Sequence, residues 1–394
     1  MTPIQLAPKG AARCCPAPAR ERPAGPRLPL SALPCPSRPP REGQRGVACG
    51  AASTVGSRAT GSFMGKDEVP LLGLGLAALG RPGYINLGHG SDLGPNHSVE
   101  ALRDHCCKVL DAALELNLQY IDVARSYGKS EEFLAHYLQT RILSARRSGL
   151  LVGSKWGYTY TADWQVDTQG GPHEVKQHTA ANLATQQAET AHLLGDVDLY
   201  QIHSATLESG ALSHDVVSGL IKLRDDRGWR LGLSLSGAEQ AETLRAAMKI
   251  KVGGRPLFDA VQATWNLLEP SVGPALLEAR EAGMDVIVKE AVGNGRLLTG
   301  DDNCCSWSGG ASVLQREAVE RGCDPDALAI ACAIVQPFRP MVLSGAATVY
   351  QLQSNANALS VAENLDVDDA NRLAMRAKQH PEAYWQERAA MIWN

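Results

Sequence analysis

Eight short apolar runs, each followed by a segment of different periodicity, constrain this chain more than any other feature. They read "LLGLGLA" from Leu71, "LQYIDV" from Leu118, "GLLVGSK" from Gly149, "DLYQIHS" from Asp198, "RLGLSLS" from Arg230, "FDAVQATWN" from Phe258, "MDVIVKE" from Met284 and "PMVLSGA" from Pro340. Apolar residues fall on both parities within the runs, as in strands covered on both faces. Strands alternating with helices, with no all-β block between them, imply a parallel sheet coated by helices, either closed as a barrel or open and doubly wound. The polar residues separate the two. Asp122, Lys155, His203, Ser234, Gln262, Glu290 and Ser344 each stand at or near the C-terminal end of a different run. A closed barrel gathers such ends at one mouth, whereas an open sheet strings them along a line. The expectation is an α/β (β/α)8 TIM barrel over residues 64–394.

The segments between the runs carry helix signals. In "SVEALRDHCCKVLDAALELN", Ser98 is a possible N-cap, Leu102, Cys106, Val109 and Ala113 share a stripe, and Asn117 is available as a terminator. In "SEEFLAHYLQTRIL", Ser130 reads as the N-cap, with Glu131 and Glu132 in the first turn where the helix dipole favours acids. Further helices fit 179–194, 213–226, 238–249, 273–282, 310–321 and 326–335, the last opened by an Asp-Pro start.

Composition matters mainly at the N-terminus. Residues 1–63 hold half of the 22 prolines, eight arginines, two glutamates, no aspartate and no apolar periodicity. Such a segment cannot recover its ordering entropy by burial, so it is read as disordered. An Arg-rich, acid-poor, Ala/Ser/Pro-rich leader has the make-up of a transit peptide, and "VACGAAS" from Val47 is similar to a chloroplast processing site. The expected location is the chloroplast, with the mitochondrion or cytoplasm as alternatives. A net charge of −4 without a long basic run argues against a nucleic-acid partner. No apolar stretch reaches a membrane span. The adjacent pairs Cys106-Cys107 and Cys304-Cys305 lack zinc-ligand spacing, and helix packing is the reading for Cys106, Cys323 and Cys332. "GLGLAA" from Gly73 satisfies a loose dinucleotide fingerprint, but "LGRPGYINLGHGSDLGPN" follows it, too rich in Gly and Pro to be the helix that motif requires.

Together, "IDVARSYGKSE", "VGSKWG" and "LYQIHSA" resemble the aldo-keto reductase superfamily, as do the later "GLSLSG", "VQATWNLLEP", "VIVKEAVGNGRLLTG" and "LSGAATVYQLQSNANAL". The likeness spans roughly residues 70 to 360, and its D-x4-Y-G-x-S-E pattern is fairly specific. It implies a catalytic tetrad of Asp122, Tyr127, Lys155 and His203. The chemistry is intelligible from the residues themselves. Hydride addition to a carbonyl puts negative charge on oxygen, and a positioned acid must protonate it. Tyr127 is a phenol of ordinary pKa about 10, which a neighbouring ammonium lowers. Lys155 would be that ammonium, Asp122 its anchor, and His203 the donor that orients the carbonyl.

The resemblance also implies an extended nicotinamide cofactor: Ser234 and Gln262 at the carboxamide, Asn294, Gly295, Arg296 and Leu297 at the pyrophosphate, and Gly345, Ala346, Thr348, Gln351 and Asn355 at the adenosine. NADPH is the expected form and NADH the alternative, because Ala347 and Gln351 stand where cations usually grip the 2′-phosphate. Leu235 and Lys289 depart from the usual Asn and aromatic residue. The substrate would be a small carbonyl compound or sugar. Trp156, Tyr158, Trp265 and the loop "GRPGYINLGHG" are candidates for its pocket, and the insertion "YTADWQVDTQGGPHEV" is read as either a lid or mere surface. Two other readings stand beside the reductase: a Schiff-base aldolase using Lys155 or Lys289, and a non-catalytic nicotinamide-sensing subunit.

Overall fold

A computed structural model describes residues 57–142, 149–299 and 308–394. The described strands are β1 (Thr60–Phe63), β2 (Lys66–Pro70), β3 (Leu72–Gly75), β4 (Tyr120–Asp122), β5 (Leu151–Trp156), β6 (Tyr158–Tyr160), β7 (Glu174–Lys176), β8 (Leu199–Ala205), β9 (Arg230–Leu235), β10 (Lys251–Val252), β11 (Arg255–Pro256), β12 (Ala260–Thr264), β13 (Asp285–Lys289) and β14 (Met341–Ser344). The eight strands β3, β4, β5, β8, β9, β12, β13 and β14 close into a parallel barrel, the last pairing with the first. All eight come from the apolar runs, and the topology is the expected (β/α)8 TIM barrel.

Parallel register fixes which residues share a level. Gly75 pairs with Asp122, Asp122 with Gly153, Lys155 with Gln201, Ser234 with Gln262 and Thr264 with Lys289. The polar strand ends are thereby collected at one mouth. Below them Tyr120 fills the barrel interior, where Gly153 is needed: a Cβ there would lie 2.2 Å from the Tyr120 hydroxyl. The opposite end is closed by the antiparallel β1–β2 hairpin, whose Phe63, Met64 and Val69 pack on Tyr120, Leu151, Leu199, Ile287 and Met341. Thr60–Phe63 had been assigned to the leader on composition; it is instead a strand of this hairpin, because Phe63 finds apolar burial there. Residues 57–59 are also part of the described structure, the Arg58 and Ala59 amides donating to Glu363, and residues 1–56 of the expected leader lie outside the described residues.

Ser98 caps the helix Val99–Glu115 by accepting from the Ala101 amide at 3.2 Å, and Asn117 ends that segment at φ 58°. Ser130 is not a cap. The tight turn at Gly128 starts the helix at Ser130 itself, whose buried hydroxyl donates back to the Ala124 carbonyl at 3.2 Å. The remaining helices fall within two residues of their expected ends, and the chain adds the helices Val349–Ala356, Ala358–Glu363, Val367–Ala377 and Pro381–Ala389, which periodicity had not marked. The insertion after β5 folds into the β6–β7 hairpin over the mouth. Cys106 and Cys332 are buried packing residues, and Cys323 is partly buried; the pair Cys304-Cys305 lies outside the described residues. Among the described residues, no His/Cys/Asp/Glu group could hold a metal ion, and no helix is long and apolar enough to cross a membrane.

Candidate active site

A cavity of about 520 Å³ opens at the C-terminal ends of the strands. Its floor is set by Asp122, the last residue of β4. Asp122 Oδ1 pairs with Lys155 Nζ, and Oδ2 accepts from Tyr120 Oη at 3.0 Å, Gln262 Nε2 at 3.0 Å and Gln201 Nε2 at 3.3 Å. Lys155 also donates to the Val123 carbonyl at 3.1 Å. Both members of the pair are fully buried. A buried carboxylate is tolerable only with such a set of partners, and this is why the acid ends an apolar strand.

Tyr127 stands above the pair. Lys155 Nζ lies 4.7 Å from its ring centroid, and the His203 ring meets it edge-on at 5.3 Å. The turn carrying Tyr127 is clamped to the segment after β3: Lys129 N donates to the Gly80 carbonyl at 2.7 Å, and a Cβ on Gly80 would sit 2.2 Å from the Tyr127 carbonyl. His203 shares its Nδ1 with Ser126 Oγ at 3.2 Å, and its carbonyl meets His178 Nε2 at 2.9 Å. Gly157 makes room for His178, since a Cβ there would come within 2.5 Å of that ring. The structure therefore brings Asp122, Tyr127, Lys155 and His203 together.

The electrostatics differ from the sequence expectation at Tyr127. Burial, then the Asp122 carboxylate, pushes its phenol well above the ordinary value, with Arg81 opposing. The net shift of the phenol is therefore upward, opposite to the lowering expected of a neighbouring ammonium. Burial likewise lowers Lys155, against the pull of Asp122. Burial, reinforced by Lys155, Lys289 and Arg81, holds His203 well below its usual range, so it is a neutral imidazole.

Of the expected cofactor residues, Gln262, Asn294, Gly295, Gly345, Ala346, Gln351 and Asn355 line the cavity. Five do not behave as expected or stand elsewhere. Ser234 is buried and accepts from the Ser204 amide at 2.9 Å. Gln262 directs its amide to Asp122. Arg296 is fully buried, donating from Nε to the Gly293 carbonyl at 3.0 Å, with its guanidinium 4.1 Å over the Tyr384 ring, because the C-terminal helix Pro381–Ala389 covers it; it is not a cavity-wall phosphate ligand. Leu297 is core, and Thr348 caps the helix Val349–Ala356 by accepting from the Gln351 amide. Trp156 and Trp265 are buried away from the cavity, Trp265 edge-on to Phe338, whereas Tyr158 is on the wall.

Several wall residues escaped sequence reasoning. Arg81 and Tyr84 come from the loop after β3, flagged only as a whole, and His173 and Glu174 come from the insertion, which is therefore part of the wall. Glu290, at φ 58°, accepts from Thr264 Oγ1 at 3.0 Å and from Arg388 Nε at 2.8 Å. Burial raises its carboxyl, but Arg388 and Lys289 outweigh that and bring it to about 2. Burial lowers Lys289 to about 8 despite Glu290 beside it. Arg388 and Trp393 reach the wall from the far C-terminus; no local pattern links them to the strands.

Comparisons with known proteins bear on the chain as a whole. The chain is 24% identical over 323 residues to aldo-keto reductase str7 of Strobilurus tenacellus, covering 75% of this chain and 84% of that one. Its fold is similar to that of aldo-keto reductase AKR11C1 from Bacillus halodurans in its holo form, with TM-score 0.59 at 19% identity over 82% of this chain and 99% of the other. It is also similar to the aldo-keto reductase-like PA4992 of Pseudomonas aeruginosa, with TM-score 0.52 at 20% identity over 76% and 92% of the two chains. The sequence model of the Aldo/keto reductase family matches residues 72–375, most of the chain and all eight barrel strands, and the chain belongs to that family.

Proposed function

We propose that the protein is a nicotinamide-dependent oxidoreductase that interconverts a small aldehyde, ketone or sugar with its reduced or oxidised partner, with Tyr127 as the proton-transferring acid. The observation that carries this reading is the buried Asp122–Lys155 pair beneath a phenol that shares the cavity with a neutral His203. A reduced nicotinamide lying along the cavity would supply the hydride. Asn294 Oδ1 is buried without a partner among the described residues, and a Cβ at Gly345 would meet nothing within 4 Å. An open cradle with an unsatisfied acceptor suits such a ligand, held by Asn294, Gly295, Gly345, Ala346, Gln351 and Asn355. His203 would donate to the substrate oxygen and orient it. Tyr127, kept protonated by burial, would deliver the proton to the alkoxide that hydride addition creates, a far stronger base than a phenolate. That protonation state favours the reductive direction.

A panel of aldehydes, ketones and aldoses followed by NAD(P)H absorbance tests the reading. Turnover should fall about a thousandfold in Tyr127→Phe while cofactor affinity holds. Tight cofactor binding with no turnover of any carbonyl would leave a sensing subunit instead. NADPH is the carrier the resemblance implies. Asp92, whose Oδ2 accepts from Gln351 Nε2 at 2.9 Å, and Asp326 favour NADH as the second reading, since both line the end of the cavity assigned to adenosine. Carboxylates there suit a ribose diol and repel a 2′-phosphate. Titration of both cofactors by protein fluorescence decides between them.

An amine route is favoured by one observation only, the partly neutral Lys289 on the cavity wall. Lys155 is engaged on two sides and fully buried. Borohydride trapping of a Lys289 adduct with a carbonyl compound would establish that route, and its absence would dismiss it. We read the segment ahead of the barrel as a chloroplast import leader. A fluorescent protein fused behind residues 1–56 should enter chloroplasts, and a mitochondrial or cytoplasmic signal would refute this.

A further inference from the structure

Arg81 is 2% exposed and stands on the cavity wall without a place in the tetrad logic. Its Nη1 donates to the carbonyl of Ser126 at 2.9 Å, the residue before Tyr127, and to Glu174 Oε2 at 3.1 Å. Its Nε reaches the Ala77 carbonyl at 3.3 Å. The guanidinium carbon lies 5.3 Å from the Tyr127 ring centroid, 4.8 Å from that of Tyr84 and 4.5 Å from that of Trp393. A planar cation thus fastens the backbone of the Tyr127 turn and faces the phenol's ring in one stroke.

Eight charged or titratable groups bear on Tyr127: Asp122 and Tyr120 from β4, Lys155 from β5, His203 from β8, Glu174 from β7, Glu290 after β13, and Arg81 and Tyr84 from the loop after β3. Lys155 is neutralised by Asp122 at contact. Glu174 holds Arg81 through one oxygen and remains a quarter exposed, where water screens it. Of the two cations beside the phenol, Arg81 is the one whose carboxylate partner is partly exposed rather than buried in contact with it. We propose that Arg81, held by Glu174 of the insertion hairpin, is a positioning residue that orients Tyr127 and supplies the positive field its hydroxyl experiences. The direction at Tyr127 agrees: among the groups acting on it, Arg81 pulls against burial and the three carboxylates. The insertion hairpin thereby acts on proton transfer through a single ion pair.

The inference rests on Tyr127 being the proton-transferring group, and opposite signs test it. The reaction used is oxidation of the alcohol matching the fastest carbonyl of the panel, at a pH below the ionisation of Tyr127, where the rate follows the phenolate fraction. Arg81→Gln should lower kcat about tenfold per pKa unit and move the rise of the kcat–pH profile to higher pH. Arg81→Lys should restore most of it. Glu174→Gln, which unmasks the cation, should raise kcat severalfold and move the profile to lower pH. Cofactor affinity by fluorescence should hold throughout. A fall of kcat in both Arg81→Gln and Glu174→Gln, or profiles that stay in place, would make Arg81 merely structural and overturn the proposal. If Arg81→Gln does not fold, the sign in Glu174→Gln alone decides. Retained turnover in Tyr127→Phe would defeat the underlying reading instead, so the two failures are distinguishable.

Discussion

The two ends of the barrel are built from the same eight strands and have opposite chemistry. At the N-terminal end, Phe63 stacks edge-on to Tyr120 at 5.0 Å, and the hairpin's backbone is held by Asp285 at 3.0 Å and Arg230 at 2.8 Å. Apolar contact dominates there. At the C-terminal end, Asp122, Lys155, Lys289 and Glu290 are all largely buried, and each needs a named partner. The first end is held mainly by apolar packing; the second places charges where they are expensive and useful. Glu290 and Ser204 at left-handed φ beside the cavity belong to the same pattern, since strain of this kind persists only where surrounding structure holds it.

Removing one charge from the mouth should produce the largest stability loss. Lys155→Met leaves the Asp122 carboxylate buried without its cation, which costs about 3–5 kcal/mol. Adding Asp122→Asn should recover part of it, because the amide no longer needs the ammonium. Urea denaturation of the single and double variants measures both. If Lys155→Met unfolds at the wild-type midpoint, the pair is not holding the floor. At the other end, Phe63→Ala should lose about 3 kcal/mol through cavity formation. Turnover per folded molecule should stay at the wild-type value, since Phe63 meets the mouth only at one remove, through the ring of Tyr120. A drop in kcat there would show that the two ends communicate.

The eight strands were legible because each is a short apolar run with turn residues on either side, and long-range pairing added only closure. The gathering of polar groups at the mouth was legible because Asp122, Lys155 and His203 interrupt or end such runs, where a polar residue has no packing reason; Tyr127 was singled out only by the family resemblance. Arg81 was not, since a guanidinium in a Gly- and Pro-rich loop reads as a surface cation until the fold lays it on Tyr127. Arg388 is harder still: its partner Glu290 is 98 residues away, and only the docking of the last helix brings them to 2.8 Å. Arg296 shows the converse. Its residue type suits a phosphate, but the aromatic face of Tyr384 and the carbonyl of Gly293 take the guanidinium first. Ser130 was misplaced because Gly128, not a capping hydroxyl, starts that helix.

Lys289 gives the mildest probe of the comparison, and its sign follows from the pKa. The amine is 15% exposed and falls to about 8 in the fold, against an ordinary value of 10.5. Below about pH 8 it is charged in both states, and the fold carries the full penalty of burying that charge. Between about 8 and 10.5 the unfolded chain binds more protons than the folded one, so stability rises with pH. Above that window both states are neutral and the penalty is gone. Lys289→Met should therefore be more stable than wild type near neutrality, on the order of 2 kcal/mol after allowing for partial exposure. The advantage should shrink as pH climbs toward 10. Denaturation midpoints of the two proteins across that range report it directly. A difference that stays constant with pH would mean that the mouth solvates this ammonium as well as water does, and the contrast between the two ends would then rest on Asp122, Lys155 and Glu290.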